Sequence, residues 1–292
     1  MLYHEWYPQY MALYKARLAP RTREEYDRIN RKYLAPVLGA LPLEAITPED
    51  VQSCLVLAAD RGGPRMAQAV YSLIHAVMRR ACRSRYIPWS PVDALDKPAH
   101  TQEQGKMLTS ADLQLALPFI RQELAVSLAL FAGLRRGEIC GLQWGDVDLG
   151  AGLLRVRRQR QRSHGEILIR GTKSGAGLRD VPIAPELRPI LKHQYKLTPT
   201  GWVVPHAPEY PGAAWADIQR RDVSLSQHYR LHDLRHHYGS DLILKGAEPK
   251  AVSYLLGHSS LAVTLNVYSH IYPEQAAEEA RRVYGVASLT AP

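Results

Sequence analysis

At 292 residues the chain is long enough for two domains, each burying its own core, so a small disulfide- or metal-stapled scaffold is excluded. Lys and Arg total 37 against 28 acids, for a net charge of +9 and an isoelectric point near 9.5; this suits a polyanionic partner, or solubility alone. Cys54, Cys82 and Cys140 form neither a disulfide framework nor a CxxC metal site, and no signal pattern or apolar run of about eighteen residues is present, so a cytoplasmic protein with reduced thiols and no membrane partner is expected.

From Met1 to about Pro98 the pattern is helical, punctuated by Pro20, Pro36, Pro42, Pro48, Pro64 and Pro88, and predicts a small bundle. Thr47 ahead of Pro48, Glu49 and Asp50 combines an N-cap, a first-turn proline and first-turn acids, so a helix starts there. Another runs from about Pro64 to Arg85. Its helical period gathers Met66, Val70, Leu73, Ile74, Val77 and Ala81 on one face, with Arg65, Gln68, Ser72, His75, Arg79 and Arg83 opposite. That basic face is either a solvated surface or a helix laid against a DNA groove, with Arg on phosphates and Gln or Arg on bases.

KPAHTQEQGK, residues 97 to 106, has no large apolar anchor. The first domain is therefore 1–98, the linker 99–106 and the second domain 107–292. Ser110 with Asp112 opens a helix, and Leu124, Leu128 and Phe131 mark another that Gly133 interrupts. A short helix follows at about Arg136 to Leu142. Within GLRRGEICGLQWGDVD, Arg135 sits just past the break, where its side chain can be aimed into a cleft; the alternative is a structural salt bridge from Arg135 or Arg136 to Glu138 or Asp146. Strand-like stretches follow at 146–149, 153–157, 166–170 and 178–183, giving a small antiparallel sheet. Residues 172–177 form the turn between the last two strands, with Lys173 at its tip either reaching a phosphate or merely exposed. Arg155, Arg157, Arg158, Arg160 and Arg162 suit a phosphate backbone or a solvated loop equally. Helices near 185–195 and 214–221 complete this region.

The stretch from Leu231 to Tyr272 is densest in chemistry, with His232, Arg235, His236, His258 and Tyr268 in about forty residues. Leu234, Tyr238 and Leu242 seam one helix, stopped at Gly246. Val252, Leu255 and Leu256 seam a second, closed by Gly257. Ser259 or Ser260 caps a third, which carries Tyr268 and ends before Pro273. His232 and His236 share a helix face as zinc ligands would, yet a third ligand and an HExxH glutamate are both lacking. His236 and His237 then read as packing groups, Asp233 as a helix-start group, and Tyr272 as the decoy nearest Tyr268.

HxxR at His232 and Arg235, LGHSS at His258 and TxxxYSH at Tyr268 follow GLRxGE at Arg135 and the turn lysine Lys173. This order, Arg, Lys, His, Arg, His, Tyr, resembles the tyrosine recombinase (phage integrase) family from about Arg17 to Tyr284. The resemblance implies a mainly α fold: a helical N-terminal core-binding domain, then a mixed α/β catalytic domain with a small antiparallel sheet. It implies a site-specific integrase of a prophage or mobile element, acting through a 3′-phosphotyrosine intermediate, with Tyr268 as nucleophile. Arg135 and Arg235 would hold the phosphate, His232 would act as base, Lys173 as acid, and His258 would donate a hydrogen bond. Bond energy is conserved in such a transfer, so neither ATP nor a metal cofactor is expected.

The implied partners are double-stranded DNA carrying core-type sites, contacted through Arg65, Gln68, His75, Arg79, Arg83 and Arg157, and an accessory DNA-bending or directionality factor. A further partner is the chain itself, as a tetramer joined through a C-terminal helix at 274–285 that presents Ala276, Ala277, Ala280 and Val283. The location would be bacterial, cytoplasmic and nucleoid-associated. Only about twenty residues precede the matching region, so the extra domain that many phage integrases use on arm-type sites is not expected. A type IB topoisomerase or a non-catalytic DNA-binding protein of the same fold remain the rival readings.

Overall fold

The computed structural model describes residues 1–99, 105–163, 165–171, 177–221 and 224–268. The chain divides into two compact units, Met1–Glu103 and Gln104–Pro292. Among the described residues no helix is long and apolar enough to cross a membrane.

The first unit is helical. Helix α1 (Tyr3–Tyr14) places Tyr3, Trp6, Tyr7 and Tyr10 at helical spacing and buries all four; the Trp6 indole donates to Val77 O at 3.3 Å. Helix α2 (Pro20–Ile29) runs through a π-turn into the short α3 (Ala35–Leu38). Helix α4 spans Pro48–Arg83, and Gly63 leaves helical geometry within it, so Pro64 opens its second half. Thr47 caps α4 as its sequence implies: its hydroxyl accepts from Asp50 N at 3.2 Å, and the Asp50 carboxylate accepts from Thr47 N at 3.0 Å. The second half buries Val70, Leu73, Ile74, Val77 and Ala81, which leaves the basic face outward.

The second unit surrounds α6 (Leu124–Ala132), a nearly all-apolar helix buried on almost every side. Helix α5 (Ser110–Ile120) precedes it and α7 (Arg136–Gly141) follows. Strands β1 (Val147–Asp148), β2 (Leu153–Val156) and β5 (Arg179–Pro182) make an antiparallel sheet in the order β1-β2-β5, while β3 (Arg158–Ser163) pairs with β4 (Glu166–Gly171) in a second sheet. Helices α8 (Leu187–Leu197), α9 (Tyr210–Arg220), α10 (Leu231–Leu244), α11 (Pro249–Leu256) and α12 (Leu261–Tyr268) follow among the described residues, and α10 packs on α6.

Two sequence expectations need correction. The arginine-rich stretch at 158–163 is a strand, because it pairs with β4 and its backbone meets the glycine face of α7; a Cβ at Gly141 would lie 2.6 Å from Arg158 O. Strands β4 and β5 are not a hairpin, since they lie in different sheets. Lys173 and most of its turn, Tyr272 and the expected helix at 274–285 lie outside the described residues. So do residues 100–104 of the expected linker; Gly105 and Lys106 lie against α10, where Lys106 N donates to Asp233 at 3.3 Å.

Just beyond α4, Arg85 takes φ 59°, a left-handed conformation that costs a residue with a Cβ about 1 kcal/mol or more. Arg85→Gly should therefore raise unfolding stability by about 1 kcal/mol, seen as a higher denaturant midpoint at unchanged slope. A lower midpoint would mean that the arginine side chain contributes more than the strain costs.

Candidate active site

The site is assembled at helix ends. Helix α6 stops at left-handed Gly133, and two residues later Arg135 occupies the N-cap of α7. His232 and Arg235 lie in the first turns of α10. His258 follows left-handed Gly257, which ends α11, and Tyr268 closes α12. Arg135, His232, Arg235, His258 and Tyr268, with His236, Val263 and Val267, line one cleft of about 230 Å³. Five of the six expected catalytic side chains are thereby brought together; Lys173 is the sixth.

Three guanidiniums are fixed by one arrangement. The last carbonyls of α11 each accept one of them: Leu255 O from Arg179 at 2.6 Å, Leu256 O from Arg235, and Gly257 O from Arg135 at 2.7 Å. These carbonyls are the unsatisfied, electronegative end of a helix, where cations are favoured. On the other side stands Glu138. Its carboxylate takes Arg135 at 2.8 Å, Arg179 at 2.9 and 3.1 Å, and lies 3.9 Å from Arg235. Gly133 O also accepts from Arg235.

Sequence reasoning met Glu138 only as an alternative ion-pair partner and did not single out Arg179 at all. Nothing local separates Arg179 from the arginines around it; its role comes from a partner 41 positions away.

The charges act on one another. Burial alone would raise the Glu138 carboxyl, but the Arg179 hydrogen bond and the three guanidinium charges bring it down to about 2. Burial, then the neighbouring Arg135, lowers Arg235 to about 9, so it stays cationic at neutral pH. His258 is pulled to about 4 by burial and then by Arg235 and Arg135. His232 is lowered in the same order, by desolvation and then by Arg235 and Arg135, although the residue as a whole keeps substantial solvent exposure. Both imidazoles are neutral at pH 7. The His258 ring holds Thr264 at 2.7 Å through Nδ1, which leaves Nε2 for another partner. Tyr268 is only 2% exposed, its ring 4.9 Å from His236. Asp233 is buried at the start of α10 and accepts from Arg230 N at 2.7 Å, as a helix-start group does. Among the described residues no cluster of three or more His, Cys, Asp or Glu is placed to hold a metal.

The remaining candidates divide. Arg65, Arg79 and Arg83 are exposed on α4. Gln68 donates to Pro98 O at 3.3 Å, and His75 stacks on Tyr71 and faces Asp93 at 3.5 Å. In the second unit Arg157 binds Asp180 at 2.7 Å, Arg155 binds Asp148 at 2.7 Å, Arg158 binds Asp146, and Arg162 binds Glu209 at 3.2 Å. Arg160 is buried over the Trp202 ring, 4.6 Å from its centroid.

Glu138→Gln should destabilise the protein by about 3 kcal/mol, since it leaves buried guanidiniums without their anion. The folded-state carboxyl is held near 2 against an ordinary 4.5, so its contribution is present above about pH 4.5 and is lost as pH falls toward 2. Acid titrations of stability should accordingly be flatter for Glu138→Gln across that window. Parallel curves for the two proteins would refute the linkage.

The phage integrase family's sequence model matches residues 101–275, and that of the phage integrase central domain matches residues 3–97. The chain is 27% identical over 219 residues to a XerC-like tyrosine recombinase of Caldanaerobacter subterraneus, covering 65% of this chain and 55% of that protein. It is 27% identical over 264 residues to a putative prophage phiRv2 integrase of Mycobacterium tuberculosis, covering 86% and 70%. A tyrosine recombinase of Thermosipho africanus is 29% identical over 171 residues, covering 56% and 54%. The chain thus spans about half the length of two of these relatives. Among solved structures, the Tn1549 transposon integrase in complex with circular intermediate DNA superposes with a TM-score of 0.83 at 22% identity, covering 97% of this chain and 99% of that one. A lambda integrase dimer bound to a core site gives 0.72 at 20% identity, covering 91% and 95%. At such identities the likeness establishes the shared fold. The sequence model, matched over 101–275, spans more than half of the chain and places it in the phage integrase family of tyrosine recombinases.

Proposed function

We propose that the protein is a site-specific DNA recombinase that integrates or excises a prophage or other mobile element by cutting and rejoining strands through a 3′-phosphotyrosine. The observation that carries this reading is the meeting of Arg135, His232, Arg235, His258 and Tyr268 in one small cationic cleft. Arg135 and Arg235 supply paired N–H donors for the non-bridging oxygens of a phosphodiester and offset the charge that grows in the pentacoordinate transition state. The Tyr268 oxygen attacks phosphorus as the bond to the 5′-oxygen breaks. His232, neutral at pH 7, takes the phenolic proton. His258 donates to the phosphate through Nε2. Lys173, outside the described residues, protonates the leaving 5′-oxygen in this scheme. Attack by a second strand's 5′-hydroxyl reverses the steps and restores the phosphodiester, so the bond energy is retained.

Tyr268→Phe should bind a nicked DNA substrate normally and form no covalent adduct on a denaturing gel. Arg135→Ala or Arg235→Ala should slow adduct formation by about a hundredfold or more. An adduct that survives in Tyr268→Phe would assign the nucleophile to another residue.

Double-stranded DNA with core-type sites is the proposed partner, held in part by the exposed basic face of α4, with four protomers joined through residues 274–285 and an accessory DNA-bending or directionality factor. In sedimentation of the DNA complexes, Arg79→Glu with Arg83→Glu should weaken binding and flatten the slope of log affinity against log salt by about two. Removal of residues 274–292 should leave binding intact and abolish the tetramer. Unchanged affinity in the first case, or a tetramer in the second, would remove that part of the proposal. Recombination that proceeds at full extent with purified protein and DNA alone would remove the accessory factor.

A further inference from the structure

His232 differs from its neighbours in the cleft in how it is held. Arg135 and Arg235 are hydrogen-bonded to Glu138 or to helix-end carbonyls, and His258 to Thr264. The His232 imidazole makes no hydrogen bond with any other described residue. A general base is ordinarily oriented by a third group. For His232 that orientation has to come through the main chain, since a ring on two torsions goes where its Cα is put.

His232 lies in the first turn of α10, and the residues that lead into it, 224–230, form neither helix nor strand. Segments of that kind are usually mobile. This one is pinned at Tyr229, three residues before His232, which is fully buried with every polar atom bonded. Its N–H donates to Gln219 Oε1 at 2.9 Å, and its carbonyl accepts from Gln219 Nε2 at 2.9 Å and from Trp215 Nε1 at 2.8 Å. One side chain of α9 thus pairs with both backbone groups, as a neighbouring strand would. The Tyr229 hydroxyl donates to Asp112 at 2.7 Å and accepts from Gln227 at 3.1 Å. Asp112, buried in the first turn of α5, also accepts from the Ser226 N–H at 2.8 Å and from the Ser226 hydroxyl at 2.5 Å. Apolar side chains of the same size would fill this space without burying polar groups. What a fully satisfied polar network adds is a single geometry. From Tyr229 the chain runs extended through Arg230, whose N–H is taken by Asp233 at 2.7 Å, directly into the turn that carries His232.

We infer that Tyr229 and Gln219 are positioning residues that fix the start of α10 and through it aim His232 at the reacting phosphate. This rests on the reading of His232 as the base. Neither residue lines the cleft, so each acts only through the main chain that His232 shares with Tyr229. Losing the pairing between Gln219 and the Tyr229 backbone frees the entry to α10 and displaces the base, while Arg135 and Arg235 keep their own anchors on Glu138 and α11.

The experiment is single-turnover adduct formation on the nicked DNA substrate at saturating protein, for the wild type, Gln219→Met, His232→Ala and the double variant. Gln219→Met keeps the length and helical preference of the side chain and loses both bonds to the Tyr229 backbone. It should slow adduct formation about tenfold or more, leave DNA affinity unchanged, and slow His232→Ala no further. A folded Gln219→Met that reacts at the wild-type rate once bound overturns the inference. So does a loss of the same size in the His232→Ala background, which would mean a general structural effect. Should Gln219→Met fail to fold, Tyr229→Phe, which keeps the backbone bonds and removes only those of the hydroxyl, enters the same cycle, and the same two results decide. His232→Ala by itself tests the base: adduct formation at the wild-type rate there removes the reading on which the inference rests, whereas a slow His232→Ala beside an unaffected Gln219→Met removes the inference alone.

Discussion

Three cations held between one carboxylate and one helix end are the constraint on which the second unit depends. Arg135, Arg179 and Arg235 arrive from the start of α7, from β5 and from α10, and all three are gripped by Glu138 on one side and the terminal carbonyls of α11 on the other. Isolated buried guanidiniums would be costly, and here each is hydrogen-bonded and shares an anion. One carboxylate does not balance three positive charges. The excess is what an incoming phosphate would meet, and the hydrogen bonds of the clamp fix where it lies, so little reorganisation would be needed in the proposed reaction.

The same field sets the histidines. Burial, and then Arg235 and Arg135 beside them, lowers both His232 and His258, the latter to about 4, so each stays neutral below the pH at which a free imidazole would protonate. Neutral His232 can accept a proton, and neutral His258 can still donate from Nε2 in the tautomer whose Nδ1 accepts from the Thr264 hydroxyl. In the proposed reaction the arginines would act on the phosphate directly and also through the protonation state of their neighbours. A phosphate in the cleft would oppose that field and raise both imidazoles, which is the direction a base needs once it has taken a proton.

Much of this was legible in local sequence, because helix starts and stops are local chemistry. Thr47 with Asp50, Gly133 and Gly257 each announce a boundary, and HxxR places two side chains on one helix face without help from elsewhere. Strand β3 could not be read that way: RQRQRS has no apolar alternation, and it becomes a strand through pairing with β4 and contact with the glycines of α7. Arg179 was invisible for a related reason, since its partners Glu138 and Leu255 are distant in sequence. The basic run around β2 and β3 was ambiguous in sequence, and tertiary structure gives it internal acidic or aromatic partners that no local pattern reveals. The face of α4, by contrast, keeps Arg79 and Arg83 at the surface, as its helical period indicated.

The arginines of β2, β3 and the residue between them bear on how such a protein can change over generations. Asp146, Asp148, Asp180 and Glu209 hold Arg158, Arg155, Arg157 and Arg162 to the body of the second unit, so this positive charge is a concealed reserve. Replacing one of those acids frees a guanidinium without adding a basic residue. Grip on a polyanion can therefore drift upward while the tally of Lys and Arg stays constant. Comparing basic content among relatives would miss that drift, and comparing the acids opposite the arginines would reveal it.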